Sequence, residues 1–83
     1  MSPPSLNRDK VLKYRDLRAR LNRFGVTEQP ARGKGSHRMF IKVIEGRPVI
    51  DFVTCHNEGD DISRKVVGHI REKFQISFND FYK

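Results

Sequence analysis

The chain is short of the features that would give it an enclosed chamber, a covalent brace or a membrane anchor. Its 83 residues include one cysteine, Cys55, so no disulfide can close within it. Nor does it hold spaced cysteines and histidines of the kind that ligate structural zinc, so no metal or other cofactor is expected. Disulfide-poor chains suit reducing compartments, which points to a soluble, cytoplasmic protein. No stretch approaches the roughly 20 apolar residues of a membrane span, and the opening MSPPSLNRDK lacks the apolar core of a secretory signal. Internal repeats and low-complexity tracts are missing too. A single domain of this length buries only about 60–65% of its unfolded surface. Any substrate is therefore expected on the outside rather than in an internal cavity.

Acidic side chains are also scarce, with 10 Asp and Glu against 17 Lys and Arg, a formal charge of +7. The imbalance sits in one half: residues 1–44 carry 11 basic and 3 acidic side chains, residues 45–83 carry 6 and 7. A positive field gathered in this way suits a phosphate-rich ligand or an acidic protein. The plainer alternative is that it serves solubility.

What is present reads as an alternation of helix and strand. Residues 1–12, with Pro3 and Pro4, read as a flexible arm ahead of one domain over 13–83. Tyr14, Leu17, Leu21 and Phe24 recur at helical spacing, with Arg15, Arg18 and Arg23 turned outward, Asp16 placed to pair with Arg20, and Gly25 as the stop. Residues 26–30 form a short edge strand weakened by Pro30. The strand His37–Ile44 puts Met39, Ile41 and Val43 on one side and Arg38, Phe40 and Lys42 on the other. A turn at 45–48 leads to a third strand over 49–55. The acidic loop 56–61 then precedes a helix with the stripe Ile62, Val66, Val67, Ile70 and Phe74, and its acids suit the helix dipole. Ser77 caps a last short turn that tucks in Phe78 and Phe81. The order is α-β-β-β-α with a short C-terminal helix. That is an α+β fold, a three-stranded antiparallel sheet with two helices on one face.

Between the first two strands lies Arg32-Gly33-Lys34-Gly35-Ser36-His37. A P-loop needs four residues between its first glycine and its Gly-Lys-Ser/Thr and opens a helix, so this is not one. Ser36 lacks the oriented base and oxyanion site of a nucleophile and fits a turn hydrogen bond better. His37 is the remaining candidate. Glycines let backbone N–H groups face a phosphate, Arg32, Lys34 and Arg38 add positive charge, and an imidazole can take or give a proton near neutral pH. Those are the parts that RNA cleavage needs without a metal.

These residues, with Gly25 ending the first helix, Gly35-Ser36-His37 opening the central strand, an aromatic at Phe40, a second histidine at His56 and an amphipathic helix ending near Ile76-Ser77, resemble the HicA toxins of bacterial toxin–antitoxin pairs. The resemblance covers residues 13–82. It departs from the common pattern at Thr54, where many members have proline, and at Lys65, where many have glycine. It implies a fold like the double-stranded-RNA-binding domain, cleavage of messenger RNA with His37 as the catalytic residue, and silencing by a HicB-type antitoxin.

On that expectation His37 acts on the ribose 2′-hydroxyl as base or on the leaving oxygen as acid. Arg32, Lys34, Gly35, Ser36, Arg38, Arg15 and Arg18 hold phosphates, and Phe40 stacks a base or else belongs to the core. The second acid or base is Lys34, His56 or water, and His56 equally suits a loop-bracing role. His69, beside the apolar stripe of the second long helix, reads as structural. Two other functions remain open: a non-catalytic RNA-binding module of the same fold, and a basic protein that only pairs with an acidic partner.

Overall fold

A computed structural model describes residues 9–29 and 36–83. Helix α1 (Tyr14–Arg23) forms where apolar side chains recur at helical spacing, and Tyr14, Leu17 and Leu21 on that stripe are fully buried. It stops where Gly25 adopts φ +82°, a left-handed conformation that a side chain would strain, while the Phe24 and Gly25 N–H groups donate back to Leu21 O and Asn22 O at 3.0 and 3.1 Å.

Strand β2 (Thr27–Gln29) then lies antiparallel to β3 (His37–Ile44), and β3 pairs along its whole length with β4 (Arg47–Thr54), from His37 opposite Thr54 to Ile44 opposite Arg47. The loop between them is Glu45-Gly46, both with positive φ (52° and 78°), as tight two-residue hairpins of the I′ kind require. Strand order is β2-β3-β4, so β3 is central.

Alternation along the strands gives the sheet two unlike faces. Phe40, Val53 and Cys55 are buried against the helices. The other face carries Met39, Ile41, Val43, Pro48, Ile50 and Phe52, with Val43 64% and Phe52 54% exposed. Helix α2 (Arg64–Lys73) starts at Ser63, whose Oγ accepts the Val66 N–H at 3.3 Å, and sends Val67 and Ile70 into the core. Helix α3 (Phe78–Phe81) starts in the same way, with Ser77 Oγ accepting the Asp80 N–H at 3.2 Å. Its Phe81 is buried against Phe24 and Tyr82, with ring centroids 6.3 and 5.0 Å away. Among the described residues no helix is long and apolar enough to cross a membrane.

Several local expectations change. Ile62 does not belong to α2: with Asp61 it forms β5 (Asp61–Ile62), antiparallel to β1 (Leu12–Lys13), and the Lys13–Asp61 ion pair at 2.8 Å clips the two together. Val66 is consequently on the solvent side of α2, and no acid occupies that helix's first turn. Asp16 and Arg20 do not pair, because Arg20 Nη1 reaches across to donate to Phe81 O at 2.8 Å.

The arm expected over residues 1–12 packs onto the domain from Asp9 onward. The Asp9 carboxylate takes a two-pronged contact from Arg71, Nε to Oδ1 at 2.8 Å and Nη2 to Oδ2 at 3.0 Å, and a third bond from the Tyr82 hydroxyl at 2.8 Å. Arg71 Nη1 donates to Ile76 O at 3.0 Å, so one buried guanidinium ties the N-terminal segment to the C-terminal turn. Gly68 makes room for this: a Cβ there would sit 2.6 Å from Asp9 Oδ2.

Candidate functional site

One end of the sheet gathers most of the residues singled out above. There β3 begins and β4 ends, and pairing runs one step past His37–Thr54 through Cys55 N–H to Ser36 O at 2.7 Å. The loop 56–60 then folds over the start of α1. Asp60 Oδ2 accepts the N–H groups of both His56 (2.9 Å) and Asn57 (3.0 Å), and these bonds hold its carboxyl below the usual range. The same loop caps the helix with its carbonyls, Asp60 O accepting from Tyr14 N–H at 2.8 Å and Glu58 O from Arg15 N–H at 3.1 Å. No side chain caps this helix. His37 and His56 are thereby brought to the same end, both exposed, with His56 two residues beyond Thr54, the residue facing His37.

The sheet separates neighbours in sequence. His37 and Thr54 belong to the uncovered face, whereas Arg38 points to the helix side. There Arg38 and Arg18 lie against the ring of Tyr14, with guanidinium carbons 5.4 and 5.5 Å from its centroid. Carboxylates neutralise both. Arg18 makes a two-pronged contact with Glu58 at 2.8 and 2.7 Å and reaches Glu28 at 3.3 Å; Arg38 reaches the other oxygen of Glu28 at 3.4 Å. Arg18 holds the Glu58 carboxyl below its ordinary value.

The expected phosphate-and-base stripe of Arg38, Phe40 and Lys42 thus lies on the covered side. Phe40 is 0% exposed, its ring centroid 6.1 Å from that of Tyr14, and it offers nothing for a base to stack on. Arg18 and Arg38 are committed to Glu28 and Glu58. Arg15 is exposed and makes no ion pair among the described residues. Ser36 is half-buried and contributes its carbonyl to the sheet. Arg32, Lys34 and Gly35 lie outside the described residues.

Several participants left no readable signal in the sequence. Glu28, Glu58 and Tyr14 meet Arg18 and Arg38 only in the folded chain. Cys55 is buried, its Sγ 2.9 Å from Asn57 O; burial pushes the thiol up, which makes it a core group and not a nucleophile. The Tyr14 hydroxyl is buried beside the Glu28 carboxylate without a hydrogen bond of good geometry, and burial followed by the Glu28 charge drives its ionisation far above the normal range. A buried hydroxyl left wholly unpaired costs about 1–3 kcal/mol, and a poor contact recovers part of that. Tyr14→Phe is therefore expected to stabilise the domain by about 1 kcal/mol, read as a higher urea midpoint. A lower midpoint would mean that the hydroxyl has a partner.

No family model, curated protein or solved structure matches this chain. The geometry offers an exposed imidazole and a hydroxyl facing each other across two strands, a second exposed imidazole at the same end, and no carboxylate on that face of the sheet. Such a set can take a proton from one oxygen and return one to another.

Proposed function

We propose that the chain is a HicA-type toxin with a fold like the double-stranded-RNA-binding domain. It acts in the cytoplasm as a metal-independent endoribonuclease, cleaves messenger RNA and so blocks translation until a HicB-type antitoxin binds it. The observation that carries the proposal is the place of His37, exposed on the uncovered face where the central strand begins, with His56 at the same end of the sheet. The +7 charge of the chain and the Gly35-Ser36-His37 motif support it.

In the proposed reaction the ribose 2′-oxygen attacks the adjacent phosphorus. The bond from phosphorus to the 5′-oxygen breaks, giving a 2′,3′-cyclic phosphate and a free 5′-hydroxyl. One imidazole takes the 2′ proton and the other protonates the leaving oxygen, His37 filling one role and His56 the other. Incubating the purified protein with messenger RNA in EDTA tests this directly. Fragments with cyclic phosphate ends are expected, whereas RNA that is bound and left intact would make the chain a binding module.

Binding itself should depend on salt, with a log–log slope of about −0.7 for each phosphate neutralised on a single strand. Because Arg15 is unpaired and Arg38 is not, Arg15→Ala is expected to flatten the slope by about that amount. Arg38→Ala instead leaves Glu28 with one cation fewer and should show itself mainly as lost stability. Equal slopes for the parent and Arg15→Ala would remove Arg15 from the site.

A further inference from the structure

We infer that single-stranded RNA lies on the uncovered face of the sheet, and that Phe52 is the side chain on which one of its bases stacks. The inference rests on the reading of the chain as a ribonuclease, and adds where the substrate lies and what grips it. Among the described residues Phe52 is the one phenylalanine or tyrosine left more than half exposed, at 54%. No packing inside the domain accounts for it, since the core is on the opposite face.

Its position is set by register. Phe52 faces Met39 across the strands and is the diagonal neighbour of His37 on the same face. Diagonal positions of an antiparallel pair are about 7–8 Å apart, within reach of one ligand. Its backbone is fixed too, because Asp51 Oδ1 accepts the Phe52 N–H at 2.9 Å. A base stacked on this ring belongs to the nucleotide next to the phosphate at His37.

The face itself carries neither Lys nor Arg, so the net charge of the whole chain and the absence of acids from the face argue for the occupant. The chain has 10 carboxylate side chains, and none projects from this face. The two on the sheet strands, Glu28 and Asp51, point to the helix side, and the rest belong to helices, loops, a turn or the short β5 bridge. A second copy of the chain would bring another +7 charge to the contact and be repelled, while a polyanion is attracted. Stacking on phenylalanine needs an unpaired base, which selects single-stranded stretches and leaves the identity of the base open.

The test reads binding separately from cutting. In a His37→Ala background, so that RNA stays intact, short single-stranded RNA is titrated by fluorescence anisotropy against Phe52, Phe52→Tyr and Phe52→Leu. Phe52→Leu is expected to weaken binding by at least about fivefold and Phe52→Tyr to retain it. An RNA whose bases are removed should bind all three proteins alike. Equal affinity of Phe52→Leu and the parent, or a loss that persists with the abasic RNA, overturns the inference. So does a Phe52→Leu variant that binds RNA normally and loses only the antitoxin, since the face is then a protein surface. A protein that binds RNA with this Phe52 dependence but never cuts leaves the platform standing and removes the nuclease. One that cuts with an unchanged KM after Phe52→Leu does the reverse.

Discussion

His37→Ala is expected to slow RNA cleavage by roughly 10²–10⁴-fold, the usual contribution of a positioned general acid or base, and to relieve growth inhibition when the chain is expressed. Melting temperature should be unchanged, because the side chain is exposed and makes no hydrogen bond or ion pair among the described residues. RNA affinity should hold as well, so the loss appears in kcat with KM nearly constant. His56→Ala gives the comparison. If the two imidazoles share the proton transfers, its loss is of similar size and the double variant is little worse than either single one. A cut rate that survives His37→Ala, or a variant that unfolds, would end the assignment of His37 as the catalytic residue.

The largest effect on stability is expected at Arg71. Its guanidinium and the Asp9 carboxylate are each only 10% exposed and satisfy one another with two short hydrogen bonds. Removing one partner of such a pair leaves a buried charge uncompensated, at about 3–5 kcal/mol. Native domains are stable by about 5–15 kcal/mol in all, so Arg71→Ala should leave a population partly unfolded at ambient temperature. Combining it with Asp9→Asn should return part of the loss, since the orphaned charge goes with it. Urea denaturation of the two single variants and the double gives the coupling, and a loss under about 1 kcal/mol for Arg71→Ala would mean that water replaces the guanidinium freely.

Acid should act through the same pair. Burial alone would raise the Asp9 carboxyl, but hydrogen bonds from Arg71 and Tyr82 outweigh it and hold the group below its ordinary value of 3.8. Its contribution is therefore complete above that value and is lost as pH falls through the lower, folded-state one. The parent should shed this part of its stability in that window, and Arg71→Ala should have much less of it to shed.

Most of the secondary structure was legible because local chemistry set it. The strand His37–Ile44 begins and ends where its pattern predicts, Gly25 stops α1, and Ser77 caps α3. The choice of face was not legible. Both sides of β3 carry apolar residues, Met39, Ile41 and Val43 against Phe40, so a period of two is clear while the side that meets the helices is not. That ambiguity left Phe40 as either an RNA contact or a core residue, and burial makes it the latter. The two-residue pairing of β1 with β5 is too short to leave any period. The Asp9–Arg71 contact spans 62 positions and depends on Gly68 being glycine, which no local pattern reports. At that end of the sheet, His37 and His56 stand out in the sequence as imidazoles, whereas the carboxylates that neutralise Arg18 and Arg38 were hidden in elements far apart in sequence.

Strand β4 lies at the margin of the sheet, and its outward positions are Pro48, Ile50, Phe52 and Thr54, alternating with those that bond β3. Proline has no N–H to offer, and the Phe52 N–H is already occupied by Asp51 Oδ1. Half of the donors that a foreign strand would need are silent. A molecule with a broad greasy face and a bare ribbon margin would normally polymerise as its concentration rose. Here half of the β4 margin is closed to stitching, which works against copies joining edge to edge along that strand.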